Sequence, residues 1–357
     1  MESLMKIAIK KIALALGILT IASSCANGST STQSQQSEKI IEVSRKVKTE
    51  TTIRIDGSST VHPITQAIAQ EFQADPNNNK LQVDVKISGT TGGFEKFCTG
   101  KTEINNASRP ILLAEMETCK KNGVGYIELP IAFDALTVVV NPQNNWAKDI
   151  TLAELKKIWE PAAQGKITRW NQVRPSWPDR PLILYGAGKK SGTFDYFTEA
   201  VVGKARASRN DYTASEDDEV LVGGVSKDQN ALGYFGYAYY EKHQDKLKAL
   251  SIDNGRGAVL PSRKTVEKAQ YQPLSRPLFI YVNPQSLSSR GILYKFTDFY
   301  IQKAPQAVSA VGYIPLPEDG YRLNYIHMYK GKVGTVFDGK AEMNLTIGEL
   351  LRKEAKF

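Results

Sequence analysis

Apolar and polar residues alternate strictly along Leu81-Gln82-Val83-Asp84-Val85-Lys86-Ile87, the period of a half-buried strand. Upstream, Thr52-Ile53-Arg54-Ile55 is strand-like, and Ile64, Ala67, Ile68 and Phe72 then recur at helical spacing. The alternation continues with a short helix over 94–98, a strand over 104–107 and a helix over 115–122. This β-α-β-α-β-α order predicts an α/β fold, a sheet with helices on its faces. Further on, 152–159 reads as a helix, 182–185 as a strand and 194–202 as a helix. Gly233-Tyr234-Phe235-Gly236-Tyr237 reads as a packed strand rather than a stacking platform. The tail, 319–357, holds a Gly-rich turn region and a helix over 347–354, and reads as an appendage docked on the body.

Two apolar runs stand apart. Ala135-Leu136-Thr137-Val138-Val139-Val140 stops at Asn141-Pro142-Gln143, and Phe279-Ile280-Tyr281-Val282 stops at Asn283-Pro284-Gln285. Two equivalent buried strands so far apart suggest two crossings between lobes. One lobe then takes residues 51–134 plus 275–318 and the other 135–274, a hinged arrangement that closes on a ligand. The alternative is one continuous sheet with both strands in its core.

The first 25 residues read as a targeting segment. Lys6, Lys10 and Lys11 precede a short apolar run over 12–21, below the roughly 20 residues needed to span a bilayer. Ala22-Ser23-Ser24-Cys25 resembles a bacterial lipobox, which implies a chain lipidated at Cys25; ordinary cleavage without lipid is the alternative. Residues 26–50, rich in Ser, Thr and Gln at their start, read as a flexible tether. The expected product is periplasmic, anchored to the membrane by lipid, and monomeric.

The net charge of +9 suits an anionic ligand. Nucleic acid is disfavoured, because there is neither a dense Lys/Arg run nor a basic stripe interleaved with aromatics. With Cys25 assigned to lipid, Cys98 and Cys119 form an even pair in an exported chain, so a disulfide is expected. Two free buried thiols are the alternative. His62, His243 and His327 are too scattered for a metal site, and no cofactor is implied.

The candidate chemistry lies in four small clusters: Gly57-Ser58-Ser59-Thr60, Ser88-Gly89-Thr90-Thr91-Gly92-Gly93, Ala107-Ser108-Arg109-Pro110 and Ser191-Gly192-Thr193. The first, second and fourth sit where a strand-like run gives way to a helix-like one. Helix starts offer unpaired N–H groups and the positive dipole end, and several converging would cage an oxyanion. Each alone is also an ordinary helix cap worth about 1 kcal/mol. Arg109 is the charged candidate, since a guanidinium can hold two oxygens of an anion at once; a surface ion pair is the plainer alternative. Gly186 to Thr193 superficially suggests a nucleotide P-loop but fails its spacing, because Ile183 stands where a glycine is required and Lys190 where Ser or Thr is required. A hydrolase lacks a nucleophile with an evident base: Ser59 and His62 are close in sequence, but His62 precedes Pro63 and has no partner.

At these residues the chain resembles the phosphate-binding component of bacterial phosphate ABC importers, most like the form associated with cyanobacteria. The likeness rests on Asp56-Gly57-Ser58-Ser59-Thr60-Val61, Thr90-Thr91-Gly92-Gly93-Phe94, Asn106-Ala107-Ser108-Arg109-Pro110, Ser191-Gly192-Thr193-Phe194 and Ala231-Leu232-Gly233-Tyr234. The resemblance implies a two-lobed periplasmic-binding-protein fold, type II-like, with two hinge-crossing strands. It implies binding of inorganic phosphate without catalysis, and delivery to the membrane subunits of an ABC permease. Ser59, Thr60 and the Val61 amide would donate from one helix start, Thr90 and Thr91 from a second, and Ser191, Gly192 and Thr193 from the opposite lobe. Many family members carry, where Arg109 stands, an Asp that accepts the proton of phosphate and so rejects sulfate. The substitute acceptor here is open among Asp56, Asp134 and Asp217, while Arg109 and Lys189 or Lys190 would supply positive charge. Other readings are a binding protein for sulfate, molybdate or arsenate, an exported phosphate-ester hydrolase, or a surface adhesion or sensor module that kept the fold.

Overall fold

The structure is a computed structural model that describes residues 51–357. The segments expected to be a signal and a tether, and with them Cys25, lie outside the described residues. The chain begins with β1 (Thr52–Gly57), α1 (His62–Ala74), β2 (Gln82–Val85), α2 (Gly89–Phe97), β3 (Ile104–Ala107), α3 (Leu113–Lys121) and β4 (Ile127–Ala135). It continues through β5 (Thr137–Val140), β6 (Asp149–Thr151), α4 (Leu152–Trp159), α5 (Trp170–Val173), β7 (Ile183–Ala187) and α6 (Gly192–Val202). Next come β8 (Thr213–Ser215), α7 (Asp218–Lys227), β9 (Ala231–Phe235), α8 (Tyr237–Lys242), β10 (Lys248–Ala249), β11 (Ser251–Asp253) and β12 (Ala258–Val259). The last part is α9 (Arg263–Glu267), β13 (Ser275–Val282), α10 (Pro284–Ser289), α11 (Gly291–Ala310), β14 (Ile314–Pro315), α12 (Glu318–Lys330) and α13 (Ile347–Lys356).

The fold is α/β. One sheet has the strand order β14-β4-β13-β3-β1-β2, a second β10-β5-β9-β7-β8, and a small third β12-β11-β6. β2, β1 and β3 run parallel, as do β9, β7 and β8. In such sheets ligands collect at the carboxyl ends of the strands, where each chain turns into its helix. All four clusters sit at such ends, after β1, β2, β3 and β7. The spacing of α1 has the expected cause, with Ile64, Ile68 and Phe72 fully buried.

The apolar run 135–140 is not one strand. Ala135 ends β4 in the first sheet, opposite Ser275, and Thr137 opens β5 in the second, opposite Phe235. Leu136 between them donates its N–H to the Leu274 carbonyl at 2.7 Å, so the two crossing segments lie side by side. The two Val-Asn-Pro-Gln runs are therefore not equivalent strands: β5 lies in the second sheet, while β13 lies in the first and pairs with β4. Their likeness comes from strand ends. The Asn141 carboxamide oxygen accepts from Gln143 N, and that of Asn283 from Ser286 N.

Other differences are local. Thr90 to Gly93 lie inside the first turns of α2 rather than ahead of it. β9 ends at Phe235, and Tyr237 already opens a helix. The tail is integral to the first sheet's packing. The β4–β13 register slips between Leu278 and Phe279, which leaves Ile131 unmatched, and Tyr321 Oη donates to its carbonyl at 2.9 Å. Asn324 Nδ2 donates to the Pro130 carbonyl at 2.6 Å, and Val336 N to Glu128 Oε1 at 3.1 Å. Cys98, just past α2, is disulfide-bonded to Cys119 of α3, with Cα atoms 4.2 Å apart.

Candidate functional site

The loops after β1, β3 and β7 and the first turn of α2 meet at one place. Thr60 Oγ1 and Thr193 Oγ1 are 3.1 Å apart, although one follows β1 and the other opens α6. Thr90 Oγ1 lies 3.2 Å from Ser108 Oγ and accepts the Ser108 N–H at 3.1 Å. Gly192 closes this group from the second sheet. A Cβ there would stand 2.5 Å from Thr90 Oγ1 and 2.7 Å from Ser108 Oγ, so only glycine permits the approach. Ser59 Oγ donates to Asp218 Oδ1 at 3.1 Å.

The capping reading applies to one helix of the three. Ser191 accepts from Thr193 N at 3.1 Å and caps α6. Neither Val61 at the start of α1 nor Ser88 at the start of α2 supplies a side-chain cap. Thr91 faces elsewhere: its N–H donates to the Lys190 carbonyl at 2.9 Å, and its hydroxyl accepts from Arg109 Nη2 at 2.8 Å.

The cation at the centre is Arg276 of β13, which the sequence reading missed. It is fully buried and donates from Nη2 to Asp134 Oδ2 at 2.8 Å, Thr193 Oγ1 at 2.9 Å and Thr60 Oγ1 at 3.4 Å. Its Nε also reaches Asp134 Oδ2, at 3.1 Å. Its Nη1 is buried with no hydrogen-bond partner, an open donor on the same guanidinium. The signal for it was present, because Ser275-Arg276-Pro277 repeats Ser108-Arg109-Pro110.

Arg109 has a different fate from the one expected of it. Nε donates to Asp195 Oδ2 at 2.7 Å, Nη1 to the Pro110 carbonyl at 3.0 Å and Glu115 Oε2 at 2.8 Å, and Nη2 to Thr91 Oγ1 at 2.8 Å and Glu115 Oε1 at 2.7 Å. All five N–H groups are used, so none remains for an anion in this arrangement. Burial alone would weaken its charge; Glu115 and then Asp195 reverse this and hold its pKa above the usual guanidinium value. Lys190 also points away, with Nζ on Glu95 Oε2 at 2.7 Å, while the Lys189 carbonyl accepts from Arg206.

The three expected acids are engaged by protein groups. Asp56 accepts from Gly57 N at 2.7 Å and Ser88 Oγ at 2.6 Å, and pairs with Lys96. Asp134 pairs with Arg276 and accepts from Tyr237 N at 2.9 Å. Asp217 caps α7, accepting from Glu219 N at 3.0 Å. Its neighbour Asp218 is the acid that turns inward, 1% exposed, with Oδ1 on Ser59 and Oδ2 buried without a partner. Burial pushes this carboxyl up to about 7, against the opposing pull of Ser59 and Arg276.

A family model described as the PBP superfamily domain matches residues 15–304. The chain belongs to the PBP superfamily. It is 58% identical over 310 residues to Protein SphX of Synechocystis sp., a match covering 87% of this chain and 92% of that protein. It is 36% identical over 277 residues to the phosphate-binding protein PstS of Staphylococcus saprophyticus, covering 77% and 83%. A solved structure from Clostridium perfringens, described as a putative phosphate ABC transporter substrate-binding protein with bound phosphate, aligns with a TM-score of 0.61 at 26% identity. That alignment covers 74% of this chain and 100% of the other.

Within this PBP-superfamily chain, no group of three or more His, Cys, Asp or Glu among the described residues could hold a metal ion. His62 lines a groove of about 790 Å³ with Asp217, Glu219 and Lys242, and Ser59 gives its hydrogen bond to Asp218 rather than to a histidine. No described helix is long and apolar enough to cross a membrane.

Proposed function

We propose that this chain captures inorganic phosphate in the periplasm and delivers it to an ABC-type permease, as a binding protein without catalytic chemistry. The observation that carries this reading is the unpartnered Nη1 of Arg276, on the guanidinium whose Nη2 meets Thr60 and Thr193. Arg276 supplies the charge. Thr60, Thr90, Ser108 and Thr193 supply hydroxyls, and the uncapped first turns of α1 and α2 supply amides and dipole. Asp218 replaces Asp56, Asp134 and Asp217 as the acid that shares the ligand's proton. Ser59, Val61, Ser191 and Gly192 shape the same cage, and Arg109 acts from outside it.

The names of the relatives support phosphate over other oxyanions, and the hinge-like crossing at Leu136 and Leu274 supports two lobes, 51–134 plus 275–318 and 135–274, closing on the ligand. The lipobox-like segment supports attachment to the membrane through Cys25, and the chain is read as a monomer. Calorimetric titration of the mature chain with phosphate, sulfate and arsenate tests the function. Phosphate is expected to bind far more tightly than sulfate at slightly alkaline pH. Equal affinities, or turnover of a chromogenic phosphate ester, would overturn it.

A further inference from the structure

We infer that Arg109 is a positioning residue that closes the cage without touching the anion. The inference rests on the phosphate-capture reading for what the cage holds, and on geometry for what Arg109 does. Its side chain is 1% exposed and has no free donor. Its partners come from opposite sides of the site. Glu115 on α3 and Thr91 on α2 belong with the first sheet, while Asp195 lies on α6 with the second. The bidentate fork to Glu115 holds the guanidinium plane whether or not α6 is near, so Nε stays aimed at the position Asp195 takes.

What Arg109 draws together is the cage itself. α6 opens with Gly192 and Thr193, and Asp195 lies in that same first turn. Pulling Asp195 onto Nε seats Gly192 against Thr90 and Ser108, and brings the Lys190 carbonyl to Thr91 N. Thr91 is held from both sides, its hydroxyl by Arg109 and its amide by Lys190. Asp195 is also approached by Arg206, whose Nη1 lies 3.7 Å from Oδ1. A cavity of about 320 Å³, lined in part by Arg109, Asp195, Glu199 and Lys340, runs alongside the pair. Water in it would solvate Asp195 when α6 swings away, so the contact can break and re-form.

A group that closes the site should slow the ligand's escape more than it speeds its entry. The test uses the mature chain and radiolabelled inorganic phosphate, with Asp195→Asn, Arg109→Gln and Arg109→Lys. Loss of a hydrogen bond to a charged group corresponds to roughly 10- to 100-fold in an equilibrium. Dissociation is therefore expected to quicken by about tenfold or more in Asp195→Asn and Arg109→Gln, with association changed by less than about threefold and Arg109→Lys in between. The second readout is hydrogen exchange of the Thr91 amide, taken with and without phosphate, which should quicken in both variants.

Asp195→Asn is nearly isosteric and leaves the Arg109–Glu115 fork in place, so it separates the closing contact from loss of fold. Unchanged dissociation together with unchanged Thr91 exchange in Asp195→Asn overturns the inference. So does an Arg109→Gln variant whose loss lies wholly in association while Asp195→Asn binds normally, the pattern of a direct ligand. Failure of the unmodified chain to bind phosphate would instead refute the function proposed above, and the Thr91 exchange would still decide the role of Arg109.

Discussion

Replacing Asp218 by Asn interrogates the proton inventory of the site. Burial holds the free carboxyl up at about 7 against Ser59, Arg276 and the Gly236 amide, and on the reading proposed above its second oxygen meets the anion. The loaded cage then holds one proton between carboxyl and ligand. Phosphate carries that proton in with it at neutral pH, whereas sulfate has none to bring. At about pH 8.5 sulfate must find Asp218 protonated roughly 1.5 units above its pKa, a penalty of about 30-fold or ~2 kcal/mol. At about pH 6 the carboxyl is already neutral and the penalty disappears. Asn is neutral throughout and keeps a polar group against Ser59. Asp218→Asn is therefore expected to tighten sulfate by about 30-fold at the higher pH and hardly at all at the lower. It should weaken phosphate at the higher pH by roughly 10- to 100-fold, through loss of a hydrogen bond to a charged acceptor. Calorimetry with both anions at both pH values measures this. A wild-type sulfate affinity that is flat with pH, or no gain for sulfate in the variant at the higher pH, refutes the reasoning.

Arg276→Met should abolish measurable phosphate binding and also destabilise the fold by about 3–5 kcal/mol, because it strands the buried Asp134. The double change Arg276→Met with Asp134→Leu should recover most of the stability by denaturant unfolding but none of the binding; recovered binding would remove Arg276 from the site. Glu354 of α13 is buried against Glu128, which together push its carboxyl up to about 9, with His327 Nδ1 3.4 Å from Oε2. A carboxyl raised this way makes the folded state bind more protons than the unfolded one, so the stability contributed by Glu354 is greatest below about 4.5 and is lost as pH climbs towards 9. Glu354→Gln should thus raise the melting temperature at about pH 9, by roughly 2–4 °C per kcal/mol recovered, and leave it unchanged near pH 4.5; a uniform shift at both would sink the assignment.

The parts of this protein that could be read from sequence are those carried by local patterns. Strict alternation marked β2, helical spacing marked α1, and small hydroxyl residues between a strand-like and a helix-like run marked three of the four loops that build the cage. What sequence did not show depends on contacts between distant segments. Arg276 reaches Asp134 because β13 and β4 pair in the register that sets those two residues opposite each other. Asp218 meets Ser59 across 159 positions, and nothing in an Asp217-Asp218 pair says that the first caps α7 while the second turns inward. The run 135–140 looked like one strand because apolar character is the same on both sides of Leu136, and only the pairing partners change.

The two Ser-Arg-Pro sequences show why a motif cannot settle a role by itself. In each, proline follows the arginine and disfavours a helical backbone at it, yet Arg276 lies within β13 while Arg109 lies in the bend after β3. At 275–277 the neighbour across the sheet is a single buried carboxylate, Asp134, which occupies Nε and Nη2 and leaves Nη1 free. At 108–110 the neighbours are two carboxylates, a carbonyl and a hydroxyl, which exhaust the guanidinium. A guanidinium hydrogen-bonded to one acid keeps an N–H donor for an anion, and one hydrogen-bonded to two acids, a carbonyl and a hydroxyl keeps none. The number of acceptors within reach, a property of how α3 and α6 are placed, separates the two: Arg276 keeps a donor for the proposed ligand, and Arg109 spends all of its own on α2, α3, α6 and the chain after β3.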